Sequence, residues 1–237
     1  MIEYFYAFLL WLAVFLPSSA LGPLLVKRGK GLAGAGIQGA FLLLSLILIL
    51  LLRIPPGFKP VYLPQATALG FLVSLALNLG EKLFPGEKAK EKAETLEFLP
   101  EGLLWKILLL LILAPLAEES LNRALVEGYL LSQGQFWGAI LFSALLFALP
   151  HWMAFEGASA GEKAYITAGA FLMGLMAGYL FAVSGSLLTA FAFHSSANLA
   201  GFLFFGLRKE IGHFLNPLND HNCLSLFLLN PRRDLLA

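Results

Sequence analysis

Residues 164–207 read AYITAGAFLMGLMAGYLFAVSGSLLTAFAFHSSANLAGFLFFGL, 44 positions without an Asp, Glu, Lys or Arg. A helix crosses the ~30 Å hydrocarbon core of a bilayer with about 20 mainly apolar residues. The stretch is too long for one crossing and suits two, joined by a tight turn at Ser184-Gly185-Ser186. Working outward, residues 4–26, 31–52, 61–80 and 128–155 are also free of these charges. A further apolar stretch, from about 103 to 131, holds Lys106, Glu118, Glu119, Arg123 and Glu127. The expected fold is an all-α integral membrane protein. It is a bundle of about seven transmembrane helices starting near residues 4, 31, 61, 103, 136, 164 and 187.

Composition agrees with that class. The chain of 237 residues is 59% hydrophobic and 13% charged, with a mean hydropathy of +0.79. Soluble domains carry about 25% charged residues, so soluble and disordered classes are excluded. Sixteen Lys and Arg against fifteen Asp and Glu give a net charge of +1, too little to hold nucleic acid. Cys223 is the single cysteine, which excludes a disulfide framework and a thiolate zinc cage. The first apolar run lacks a basic leader and is too long for a signal peptide, so it reads as a retained span. Pro17 and Pro23 should bend its second half.

Basic residues set the expected topology. Alternate loops hold Lys27, Arg28 and Lys30, then Lys82, Lys88, Lys90 and Lys92, then Lys163, then Arg208, Lys209, Arg232 and Arg233. The opposite side holds only Arg53 and Lys59. The expectation is a multi-pass cell-membrane protein with its N-terminus outside and its C-terminus cytoplasmic. Three regions follow: an N-terminal three-span region with a charged cytoplasmic linker (1–100), a catalytic helical core (101–210) and a cytoplasmic tail (211–237). Within the linker, residues 87–94 alternate charge among strong helix formers and read as a solvated helix.

Ionisable groups inside a bilayer are costly and mark functional sites by default. Three spans hold them: the fourth has Glu118, Glu119, Arg123 and Glu127, the fifth His151, and the seventh His194 followed by Asn198. Glu119 and Arg123 are four apart and share a face, so they can pair. Glu118 points about 100° away and is the carboxylate less tied to the arginine. Asn122 lies on its face. Pro115, one turn earlier, should kink or widen the helix. Phe147 and His151, and His194 and Asn198, repeat the four-residue spacing. Glu127, near the end of its span, is expected to face water. His213, Asp220 and His221 fall in the tail without metal-site spacing, and Cys223 has no cation near it in sequence.

This set supports hydrolysis. A glutamate and a histidine can deprotonate water, and a histidine with an asparagine can stabilise an oxyanion. Ser120, Ser195 and Ser196 fit less well as nucleophiles, because Ser195 and Ser196 neighbour His194 on one helix and do not face it. Two histidines and a carboxylate also form a catalytic zinc set, so spacing leaves metal and metal-free chemistry both open. Glu119–Arg123 likewise reads either as an orienting pair or as a buried pair that locks helices.

Glu118-Glu119-Ser120-Leu121-Asn122-Arg123 reads as E-E-x-x-x-R. Phe147 to His151 reads as F-x-x-x-H, and His194 to Asn198 as H-x-x-x-N. In this order on successive helices, the motifs resemble the CAAX protease and bacteriocin-processing (Abi) family of intramembrane endopeptidases. The resemblance covers the fourth to seventh spans. It implies that Glu118 with His151 activates water, that His194 with Asn198 holds the oxyanion, and that Glu119 and Arg123 orient and charge-balance the site. The family is described both as zinc-dependent and as a glutamate-type protease. The expectation here is that no cofactor is required, with zinc on Glu118, His151 and His194 as the alternative. Implied partners are the lipid bilayer and a membrane-associated or lipidated protein or peptide substrate. Family members often have a large apolar residue before the arginine and Gly after it, where this chain has Asn122 and Ala124. Competing readings are a non-catalytic immunity protein or sensor scaffold of the same family, and a transporter with a midplane polar site. The absence of internal repeats speaks against the transporter.

The topology has a direct check. A cysteine placed at position 57 is expected to react with an impermeant reagent from outside, and one at position 89 from inside. Labelling of both from one side would overturn it.

Overall fold

A computed structural model describes residues 1–81, 100, 102–154 and 159–206. Among the described residues the structure is helical, without strands. The helices are α1 (Ile2–Val26), α2 (Lys30–Leu52), α3 (Leu63–Glu81), α4 (residues 103–132), α5 (Phe136–Ala154), α6 (Ala160–Ser184) and α7 (Leu187–Gly201), which continues as a π-helical turn over Phe202–Gly206. Six of them, all but α4, are long and apolar enough to cross a membrane. Their outward faces are apolar: Leu50, Leu51, Leu72, Trp137 and Leu141 are each more than half exposed. Such an exterior suits lipid rather than water. The expected linker helix at 87–94 and the tail with His213, Asp220, His221 and Cys223 lie outside the described residues.

The turn between α6 and α7 is where the charge-free stretch placed it. Gly185 takes the left-handed conformation (φ 59°) that ends a helix at low cost. The 54–62 loop is pinned beneath it. Leu187 N–H donates to the Pro56 and Gly57 carbonyls, the Ser186 hydroxyl to the Lys59 carbonyl (2.5 Å) and the Thr189 hydroxyl to the Val61 carbonyl (2.6 Å). This loop leads into α3, which packs along α7. Gly70 permits the close approach, since a Cβ there would collide with the Phe193 carbonyl and the Ser196 hydroxyl.

Helix α6 begins four residues before the expected start at 164. The Ser159 hydroxyl accepts from Glu162 N–H (3.3 Å) while the Glu162 carboxylate accepts from Ser159 N–H (2.7 Å). This capping box brings the charged residues 162 and 163 into the helix.

Helix α4 is the irregular element. Its α-helical segments are interrupted by π-helical ones at Leu109–Leu113 and Ser120–Glu127. The first ends at Leu113, two residues before Pro115, which has no N–H to return to an earlier carbonyl. Side chains of α7 cover the carbonyls in this region. The Ser195 hydroxyl donates to Leu111 O (2.6 Å) and the Asn198 amide to Leu110 O (2.9 Å). In an apolar surround these bonds replace water that a bent helix would otherwise need. The π-helical segment before Pro115 is thus also where α7 docks on α4.

Candidate active site

Glu118 and Glu119 end the α-helical segment Ala114–Glu119, and the second π segment, which carries Asn122, Arg123 and Glu127, is buried along its length from Ser120 to Glu127. Arg123 is fully buried, and its Nε donates to Glu119 Oε2 at 2.9 Å. The four-residue spacing had predicted this pair. The other Glu119 oxygen, Oε1, lies 2.7 Å from His194 Nδ1 on α7. An ionised carboxylate only accepts, so Nδ1 carries the proton and Nε2 is turned the other way. There Nε2 stands 3.8 Å from Glu118 Oε2. The two glutamates therefore have different surroundings: the Glu119 side chain is 1% exposed and that of Glu118 27%.

Helix α5 supplies His151 and Phe147. His151 Nδ1 lies 3.0 Å from the Phe147 carbonyl one turn earlier, which makes Nδ1 the donor and leaves Nε2 with its lone pair. The Phe147 ring lies 5.1 Å from the His151 ring, edge-on to His194 at 5.6 Å and 5.4 Å from the Arg123 guanidinium carbon. Its face meets a cation and its contacts hold both histidines, so the motif's phenylalanine is a spacer between the charged residues. A cavity of about 310 Å³ borders this group, lined in part by Ser74, Asn78, Phe147, His151, Tyr165, His194 and Asn198. A second groove of about 580 Å³, lined by Leu69, Trp137, Tyr179 and other apolar residues, touches none of them.

Several placements differ from the sequence expectations. Glu127 does not face water: it is fully buried, with Oε2 3.6 Å from Arg123 Nη1 and accepting from the Ser143 hydroxyl at 2.7 Å. Helix α4 is packed on α1, α2 and α5 at this level, so the end of the apolar run is not the end of burial. Asn122 donates to the Glu118 backbone carbonyl (2.8 Å) rather than to its carboxylate. Asn198 spends one N–H on Leu110 O and has a second available. Ser195 and Ser196 donate to the Leu111 and Phe193 carbonyls, and Ser120 is buried. Gln38 of α2 donates to Glu118 Oε1 at 3.1 Å, and Ser143 of α5 accepts from Arg123 Nη1 at 2.9 Å. Neither was singled out in the sequence, because a lone amide or hydroxyl in an apolar run carries no motif. Among the described residues no three His, Cys, Asp or Glu side chains gather as a metal-holding group.

The comparisons with known proteins fall on this region. Residues 100–200 match the Rce1-like family, described as type II CAAX prenyl endopeptidase Rce1-like. The Rce1-like match contains all three motifs, residues 118–198, and agrees with the family resemblance of the sequence. It stops short of α1 to α3. The matched family is a protease family, and with six apolar helices it identifies a multi-pass membrane protein. No curated protein and no solved structure shows a significant match to the chain.

The buried pair predicts a stability phenotype. Arg123→Ala leaves Glu119 and Glu127 without their guanidinium in a sealed site, an imbalance worth about 3–5 kcal/mol, and Glu119→Gln leaves Arg123 with Glu127 as its one carboxylate. Both are expected to lower folded yield and melting temperature in detergent. A parent-like melt for either variant would show that the pair is dispensable for folding.

Proposed function

We propose that the protein is an intramembrane endopeptidase that cuts a membrane-associated or lipidated peptide with a water activated by side chains. The observation that carries this reading is the approach of His194 to both Glu118 and Glu119, beside a cavity that His151, His194 and Asn198 line, with Arg123 bonded to Glu119. In this reading α4 is a seventh span, the N-terminus is outside and the site opens toward the cytoplasmic half of the bundle.

Glu118 is the general base, because it is the exposed carboxylate and has no cation bonded to it. A water on its Oε2 is within reach of His194 Nε2, and His151 Nε2 is free to share the same proton. Attack on the substrate carbonyl places negative charge on its oxygen. The second N–H of Asn198 and, once the imidazole is protonated, the Nε2–H of His194 are the donors suited to it. In this reading a water bridges Glu118 Oε2 and His194 Nε2 from one side, and hydrolysis is favoured over transfer to a serine because the hydroxyls of Ser195 and Ser196 are already committed to carbonyls.

Turnover of a reporter peptide by purified protein tests the assignment. Glu118→Gln and His151→Ala are expected to lose at least about 100-fold in kcat. Asn198→Ala is expected to lose a similar factor. Near-parent activity in Glu118→Gln, with loss in a stable Glu119→Gln, would invert the two glutamates. Normal cleavage by all of these variants would remove the protease reading and favour a scaffold. Activity is expected to survive exhaustive chelation. Stoichiometric zinc whose removal abolishes activity and whose return restores it would move the chemistry to the zinc alternative.

A further inference from the structure

Beyond the three motifs lies a second polar chain. Arg123 is gripped from both sides by carboxylates one turn before and after it, Glu119 and Glu127. On the Glu127 side the contact runs through Ser143. Arg123 Nη1 donates to Ser143 Oγ at 2.9 Å, and Ser143 Oγ sits 2.7 Å from Glu127 Oε2. The hydroxyl has one proton, and the carboxylate is nearer than the competing Ile140 carbonyl at 3.3 Å. Its donation therefore goes to Glu127. All three side chains are fully buried. The chain thus runs from Glu127 on α4 through Ser143 on α5 to Arg123, Glu119 and finally His194 on α7.

Helix α6 is shaped around the far end of this chain. Gly178 is buried, and a Cβ there would stand 2.7 Å from Glu127 Oε2. The missing side chain is the space that the carboxylate occupies. A buried acid inside a helix with no motif role is most simply a structural anchor, but an anchor does not require a hydroxyl relay to the arginine that holds Glu119.

We propose that Glu127, with Ser143, is a positioning residue for His194. The inference rests on the protease reading for its kinetic consequence, but not for its structural one. The second carboxylate shares the guanidinium charge, so Arg123 draws less on Glu119. Glu119 then remains a strong acceptor for His194 Nδ1–H, which fixes the tautomer and aims Nε2 at Glu118. Removing Glu127 or Ser143 lets Arg123 turn fully onto Glu119 and loosens the grip on the imidazole. Gly178→Ala should have the same effect while leaving every polar group in place.

The test uses the full chain with ¹⁵N-labelled histidine in detergent, with the His194 Nδ1–H resonance assigned by its loss in His194→Gln. Glu127→Gln, Ser143→Ala and Gly178→Ala are each expected to move that resonance and to leave the His151 resonance in place. In a reporter assay each should lower kcat about 10-fold with KM within about twofold, in the range for partners that orient a catalytic group. The double variant Glu127→Gln with Ser143→Ala should lose no more than the worse single one, since both cut the same chain. An unmoved His194 resonance in folded variants, or losses that multiply in the double, would overturn the proposal. A parent protein that cuts no peptide while the resonance still moves would sink the protease reading and leave the positioning chain standing.

Discussion

An arginine with no exposed surface is the constraint around which this bundle is arranged. A bare guanidinium in an apolar interior costs several kcal/mol, which the protein offsets only by surrounding it with acceptors. Glu119 takes Nε, Ser143 takes Nη1 with Glu127 beyond it, and the Phe147 face lies against the cation. These groups come from α4 and α5, and Glu119 hands the interaction on to His194 of α7. Holding one charge therefore ties three helices together, with Nη2 the one nitrogen of Arg123 left without a hydrogen-bond partner. The histidine that results is held by its Nδ1 and presents its Nε2 to Glu118, the less buried of its two neighbouring glutamates.

The proline at the start of this region has a related role. Pro115 follows the first widened turn of α4, and α7 supplies the Ser195 hydroxyl and the Asn198 amide for carbonyls there. The same helix thus mends the backbone of α4 with two side chains and carries the histidine into the site with a third. Polar residues on α7 are spaced for both tasks. Ser195 and Asn198 turn toward the π-helical segment, and His194 turns toward Glu119. Ser195, which neighbours His194 on one helix, fits poorly as a nucleophile in the sequence. Here its hydroxyl is a backbone repair.

What the sequence made legible follows from periodicity. Charge-free stretches of about 20 residues located six helices, and the four-residue spacing of Glu119 with Arg123 and of Phe147 with His151 gave contacts that the structure contains. What it hid depends on neighbours distant in the chain. Gln38 lies eighty residues before Glu118, and nothing local distinguishes it from any other amide in an apolar run. Ser143 and Glu127 become informative only when α5 and α6 close over α4. Glu127 in particular was misread because polarity at the end of an apolar run usually means water. The start of α6 is written in the sequence as Ser159 followed three residues later by Glu162, a capping signal that lies outside the charge-free stretch.

The central claim is that Glu118 is the base of a membrane-embedded peptide hydrolysis. The most direct measurement compares peptide termini in membranes from cells making the parent chain with those from cells making Glu118→Gln at equal abundance. The account predicts a set of new termini on membrane-associated proteins with the parent that disappears with the variant. The same termini in both, with both proteins folded, would contradict it.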